Sequence, residues 1–330
     1  MARGKRREKL LRMYRTMVTI RAVEDTLADS VSKNEIGCPV HLYSGEEAVA
    51  TGVCDTLRPE DWVYSSHRSH GHYLAKGGDL YGLMAEVFCR EEGCSGGRGG
   101  SMHLSEPGAG LPGSSAIVAG SISLAVGAAL AFSLKKKDNV AVTFFGDGAL
   151  GEGVIYESMN FAALYSLPVI FVCENNLYST HMPISKCLAT TKITPRAEAI
   201  GVPSITIDGN DVVKVERTAS RLIAKARAGD GPAFLECLTY RHRGHVGPNY
   251  DLDKGLRPKE EFDFWLKRCP ICRFEKDLVD SKEATPEELK AIRSEIEKQV
   301  AEAKARAMAC GWPKGEDETG FRGVFRRSPT

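Results

Sequence analysis

Two short groups of residues could do chemistry together. Asp147 lies between Gly146 and Gly148, and the pair Asn175-Asn176 follows Glu174. One carboxylate, one amide oxygen and one nearby backbone carbonyl are too few oxygens to cage a metal unaided. They suit Mg²⁺, which keeps water and completes its octahedron with phosphate oxygens. Glycines on both sides of the aspartate let a ligand approach the backbone closely. The free N–H groups and positive dipole end of a helix after Gly148 suit a diphosphate. The predicted chemistry is a magnesium–diphosphate site.

The elements that must position these groups surround them. Val140–Phe145 is an unbroken β-branched and aromatic run, the pattern of a strand buried on both faces. A helix follows, with Val154, Ile155, Met159, Ala162 and Ala163 on one side. Val169–Cys173 is a second buried strand. Strand, helix and strand at this spacing predict a right-handed βαβ unit with parallel strands. That unit sets Asp147 and Asn176 at one sheet edge, where open α/β sheets bind ligands.

A second cluster precedes this unit. His67, Arg68, His70 and His72 crowd around Gly71. No further imidazole or thiolate pair stands at zinc spacing from them. Arg68 is a natural diphosphate partner, because guanidinium grips phosphate oxygens bidentately. His70 is a candidate acid–base group. The glycine-rich stretch 93–103 lacks the GxGxxG form and is no dinucleotide fingerprint. His103, at its end, is equally a site neighbour or loop packing. The segment Tyr240–Pro258, dense in Arg, His and Gly after the predicted strand 233–239, reads as a mobile active-site loop in which Arg243 and His245 draw notice.

The remaining pattern is scaffold. Helices are expected over 9–31, after Ser44-Gly45 with Ser44 as cap and Glu47 reaching back, over Ser121–Leu134, over 211–228, and after Thr285, with Thr285 capping and Glu288 closing the box. A short strand is expected over 202–207 and a polar loop over 178–194.

Bulk properties narrow the classes. The 330 residues are 42% hydrophobic and 26% charged with a net charge of +1, an ordinary globular composition without a nucleic-acid footprint. The basic start lacks an apolar run after it, so no secretory signal is read, and no stretch is long and apolar enough to span a bilayer. Ten cysteines without framework spacing suggest reduced thiols in cytoplasm. Cys269-Pro-Ile-Cys272 has no partner pair and is read as spare thiols.

The GDG–ENN unit resembles the thiamine diphosphate fingerprint. With HLYSGEEAVATGV, HRSHGHYLAKGGDL, GRGGSMH, AIVAGSISLAVGAALA and TYRHRGH in the same order, residues 10–250 resemble the E1 α subunits of the 2-oxo acid and acetoin dehydrogenase complexes. The resemblance implies thiamine diphosphate and Mg²⁺ as cofactors. It implies metal ligation by Asp147, Asn176 and the Tyr178 carbonyl, and cofactor contacts from His67, Arg68, Ala116, Val118, Gly148 and Ala149. It implies that His70 and His245 order loops or assist proton transfer, and it leaves Arg243 without a settled role. Ala116 and Ala119 stand where glycines are common in the family. The serines that kinases modify in animal relatives are missing from Gly247-Pro248-Asn249.

The implied fold is a parallel-sheet α/β domain of the diphosphate-binding type with helices on both faces, at 36–260. A helical segment precedes it at 1–35, and a helical C-terminal extension follows at 261–330. The implied reaction is decarboxylation of a 2-oxo acid, or cleavage of acetoin, with the acyl unit passed to a lipoyl group on an E2 partner. The chain has no second α/β half for the cofactor's pyrimidine, so an E1 β subunit in an α2β2 assembly is expected. The alternatives are half of a split transketolase acting on sugar phosphates, which carries the same fingerprint, and a non-catalytic subunit with a degenerate site.

Overall fold

The structure is a computed structural model that describes residues 3–252 and 254–314. Its strands are β1 (Trp62–Ser65), β2 (Gly113–Ser114), β3 (Ala141–Gly146), β4 (Val169–Asn175), β5 (Tyr178–Ser179), β6 (Met182–Pro183), β7 (Ser204–Asp208) and β8 (Ala233–Leu238). Its longer helices are α1 (Arg3–Ser32), α2 (Glu47–Cys54), α3 (His70–Ala75), α4 (Leu80–Val87), α5 (Gly120–Leu134) and α6 (Gly153–Leu164). They continue, after the short α7 (Ile184–Cys187) and α8 (Thr194–Glu198), with α9 (Val212–Arg227), α10 (Lys259–Leu266), α11 (Pro270–Asp280) and α12 (Pro286–Ala309).

Six strands form one parallel sheet in the order β2-β1-β3-β4-β8-β7. Alternate residues of each central strand enter opposite apolar layers, so both faces are buried. Val140, Val142 and Phe144 pack with Ile170, Val172 and Leu235 under α1, α2, α9, α11 and α12. Ala141, Phe145, Phe171 and Phe234 pack under α5 and α6 on the other side. The expected βαβ unit is present. Ala141 to Gly146 pair in register with Val169 to Glu174, so β3 and β4 end side by side.

Several local expectations change. Ser44 does not cap α2; its hydroxyl is buried without a partner. Glu46 holds the cap position, and Glu47 Oε1 accepts the Gly45 N–H at 3.0 Å while pairing with Arg21. Thr285 does cap α12 through the Glu288 N–H at 3.2 Å, but the Glu288 carboxylate binds Arg7 instead of reaching back. The segment 178–194 carries the β5–β6 hairpin and α7 rather than open loop. Among the described residues, no helix is long and apolar enough to cross a membrane.

Candidate functional site

Asp147 and Asn176 each lie just past a strand end, β3 and β4 respectively, on the same edge of the sheet. A helix does not follow Gly148 at once. A 3₁₀ turn over Asp147–Gly151 intervenes, so the amides nearest the edge belong to that turn. A Cβ at Gly148 would come within 2.7 Å of Ser179 Oγ on the β5 hairpin, so a side chain there needs Ser179 to shift.

These residues line a cavity of about 230 Å³ together with His41, Glu46, His67, Arg68, Ala116, Val118, Gly148, Ala149, Glu174, Tyr178, Arg241 and His245. A larger hollow of about 520 Å³ lies alongside and shares Tyr178, but neither Asp147 nor Asn176 reaches it. Both carboxylate oxygens of Asp147 are buried without a well-formed hydrogen bond. Burial pushes this carboxyl up to about 6, while backbone amides and the Arg241 charge pull it back. A buried carboxylate left without donors costs free energy unless a cation or proton meets it. Asn176 is oriented: its Nδ2 donates to Glu46 Oε1 at 3.1 Å, and its Oδ1 accepts the Tyr178 N–H at 3.3 Å. An orphaned carboxylate beside a fixed amide oxygen is a donor set that fits Mg²⁺.

Two buried guanidinium groups supply the opposite charge. Arg68 donates to the Leu42 carbonyl at 2.6 Å and the His245 carbonyl at 3.1 Å, and lies 3.6 Å from Glu46 Oε2. Arg241 donates from Nη2 to the Thr180 carbonyl at 2.8 Å, and its Nη1 is buried without a partner. Burial, and then the Arg68 charge, lower Arg241 to about 9. Free donors of this kind suit phosphate or carboxylate oxygens.

Three imidazoles share the cavity. The rings of His41, His67 and His245 lie 4.7 to 5.3 Å apart. Burial, and then Arg68, lower His41 and His67 to about 3 and His245 to about 2, so all three are neutral at pH 7. Glu46 is pushed up to about 8 by burial and by Glu174. Glu174 in turn accepts the Tyr43 hydroxyl and lies 3.0 Å from His72 Nε2.

The sequence candidates therefore divide. His67, Arg68, Ala116, Val118, Asp147, Gly148, Ala149, Asn176, Tyr178 and His245 converge on the cavity. His70 does not line it. Its side chain is fully buried, with Nδ1 3.0 Å from Glu24 and Nε2 2.8 Å from Ser101 Oγ. Arg243 faces away, toward Asp25, the Pro248 carbonyl and the Tyr250 ring. His103 is exposed, and its neighbour Met102 lines the cavity instead. The glycine-rich stretch serves its own anion. Glu86, fully buried, accepts the N–H groups of Ser95, Gly97, Gly99 and Gly100 at 2.7 to 3.0 Å. Sequence reading passed over His41, Glu46 and Arg241. All three stand inside the motifs HLYSGEEAVATGV and TYRHRGH, which is the signal available for them.

Ala119 opens α5 with φ 61°, in the left-handed region where glycine alone is unstrained. Ile117 and Val118, just before it, are 69% and 46% exposed at the rim.

Comparison with known proteins fits this geometry. Residues 14–316 match the family model described as dehydrogenase E1 component. The α subunit of acetoin:2,6-dichlorophenolindophenol oxidoreductase from Bacillus subtilis (strain 168) is 40% identical over 302 residues, covering 92% of this chain and 88% of that protein. The pyruvate dehydrogenase E1 component subunit α of Porphyra purpurea is 38% identical, covering 93% and 90%. That of Rhizobium meliloti (strain 1021) is 38% identical, covering 90% and 85%. The chain belongs to the dehydrogenase E1 component family.

Proposed function

We propose that the chain is the α subunit of a heteromeric E1 enzyme, using thiamine diphosphate and Mg²⁺ to decarboxylate a 2-oxo acid such as pyruvate, or to cleave acetoin. The reading rests on the family, whose members are thiamine diphosphate enzymes. The observation that carries it here is Asp147, a buried carboxylate without donors, set beside Asn176 at the edge of a parallel sheet.

Asp147, Asn176 and the Tyr178 carbonyl would hold Mg²⁺, and the amides of Gly148 and Ala149 would receive the diphosphate. Arg68 and Arg241 neutralise the remaining phosphate charge. Val118 and Ala116, both lining the cavity, would supply apolar contact for the cofactor's ring system. When bound, the cofactor would supply a nucleophilic carbon and an electron sink for the bond that breaks. His41, His67 and His245 are neutral, so each offers one N–H donor and one acceptor nitrogen for a hydrogen bond to the reacting oxygen. His70 keeps the α3 end of this wall in place through Glu24 and Ser101.

The cavity, about 230 Å³, is smaller than the roughly 300–1,000 Å³ of complete ligand clefts. Its rim is apolar and exposed at Ile117 and Val118. Both features support a β partner that closes the site, with a lipoyl-bearing E2 as acceptor of the acyl unit.

The test is to co-express the chain with its β-type partner and measure dye reduction on pyruvate, branched 2-oxo acids and acetoin. Saturable, Mg²⁺-dependent thiamine diphosphate binding with turnover of one substrate is expected. A pair that binds no cofactor, or that transfers ketol groups between sugar phosphates instead, overturns the reading.

A further inference from the structure

Unclaimed chemistry lies outside the cavity, at the start of α11. Cys269 is the residue before this helix and Cys272 stands in its first turn, with Pro270 between them. Positions three apart on a helical turn are side-by-side neighbours, and a disulfide spans about 4.4–6.8 Å between Cα atoms. The Cys272 thiol hydrogen-bonds to the Cys269 sulfur. Cys269 is buried and Cys272 is exposed. Arg21 of α1 brings Nη1 and Nη2 each to 4.0 Å from Cys269 Sγ.

These contacts set the pair apart from the other cysteines. Cys54, Cys173 and Cys237 are buried thiols that desolvation pushes up, the mark of inert packing. At Cys269 the hydrogen bond from Cys272 lowers the pKa, burial opposes it, and the Arg21 charge lowers it further. The same hydrogen bond raises Cys272. The acidic groups facing the pair are Glu47 of α2, which works against Arg21 at Cys269, and Glu275 of α11, which acts on Cys272.

We propose that Cys269 and Cys272 are a redox-active dithiol that closes to an intramolecular disulfide by exchange with a low-molecular-weight disulfide. Cys272, reachable from solvent, passes its proton to the Cys269 sulfur and attacks one sulfur of the small disulfide, releasing a thiolate. Cys269 then gives up that proton, attacks the Cys272 sulfur and expels the second small thiolate. One protein thiolate, one protein thiol and one small disulfide thus yield the protein disulfide, one small thiolate and one small thiol. The small disulfide is reduced and the protein pair oxidised by two electrons.

Arg21 links this pair to the cavity loop. Its Nε donates to Glu47 Oε1 at 2.6 Å, and its Nη2 lies 3.4 Å from His242 Nδ1, next to Arg241.

The full reduced chain, titrated with rising ratios of oxidised to reduced glutathione and trapped by alkylation, tests the proposal. The expected product is two hydrogens lighter, with the tryptic peptide Cys269–Arg273 free of alkyl groups. Cys269→Ser and Cys272→Ser should each give only a mixed disulfide, and Cys187→Ser should leave the response unchanged. In Cys272→Ser, alkylation of Cys269 near neutral pH should slow severalfold when Arg21 becomes Met and hold when it becomes Lys. Full alkylation of that peptide throughout, or glutathione retained on Cys272 as the end product, overturns the proposal. So does an Arg21→Met chain that folds and keeps the parent alkylation rate.

Discussion

Glu236 on β8 holds Asn175 at the end of β4, its Oε1 accepting Asn175 Nδ2 at 2.7 Å. Its Oε2 accepts Thr206 Oγ1 at 2.6 Å, so one buried carboxylate ties three adjacent strands. Asn175 Oδ1 then accepts the Leu177 N–H at 3.2 Å, which fixes the turn from which Asn176 reaches the cavity. Glu236→Ala lets the exposed Thr206 hydroxyl turn to water but leaves the buried Asn175 amide unmet, at about 1–3 kcal/mol. It should lower the melting temperature by several degrees and weaken Mg²⁺-dependent thiamine diphosphate binding about tenfold (2.3RT is about 1.4 kcal/mol). Glu236→Gln should recover most of both. Calorimetric titration checks this, and unchanged affinity in Glu236→Ala removes Glu236 from the positioning of Asn176.

Asp147→Asn should abolish metal-dependent cofactor binding and yet stabilise the cofactor-free protein. The folded carboxyl is raised from 3.8 to about 6, so the native state holds its proton more tightly than the unfolded chain. Its contribution is fully present below pH about 4 and is lost as pH rises through about 6. At pH 7.5 the cofactor-free variant should exceed the parent by up to about 3 kcal/mol. That gain should vanish toward pH about 4, as urea unfolding of both proteins will show.

The histidines titrate with the opposite sense. His41, His67 and His242 are lowered to about 3 and His245 to about 2, chiefly by burial. For a base held neutral, stability is fully present above the unfolded value near 6.5 and is lost progressively as pH falls from there toward the folded values. The unfolding midpoint should drop steeply below pH about 6. His67→Asn or His245→Asn should flatten that slope, and a slope equal to the parent's would place these rings in solvent.

The two arginines of one loop should behave differently. Arg241 lines the cavity with a free Nη1, whereas Arg243 pairs with half-exposed Asp25 at 3.5 Å and covers the Tyr250 ring. Arg241→Ala should cut kcat/KM at least a hundredfold. Arg243→Ala, losing a surface pair of about 0–1 kcal/mol, should stay within about threefold. Steady-state kinetics of the αβ enzyme distinguish them, and equal losses would bring Arg243 to the substrate.

The parts of the molecule legible in sequence are those written locally. The β3–α6–β4 unit follows from two β-branched runs around one amphipathic stretch, and the Thr285 cap from four consecutive residues. β1 is only four residues long and runs straight into the His67–His72 cluster, so its period of two is hidden. The Ser44 cap fails because α2 starts at Glu47 with Glu46 in the cap position, while Glu47 also takes Arg21, a partner 26 residues away. Glu46 and Glu174 acquire their meaning only through Asn176, Tyr43 and His72, 130, 131 and 102 residues distant. No local pattern carries such pairings.

α1, 30 residues long, lies along α12 and also touches α2, α3 and α11. Met17, Val18, Ile292 and Ile296 thereby join the same apolar layer as Val142 and Leu235 of the sheet. α1 and α12 act as two halves of one clasp. A protease cut or truncation that frees either end strips oil from the underside of the sheet itself, so the protein melts as one body and cannot shed its ends while keeping its pocket.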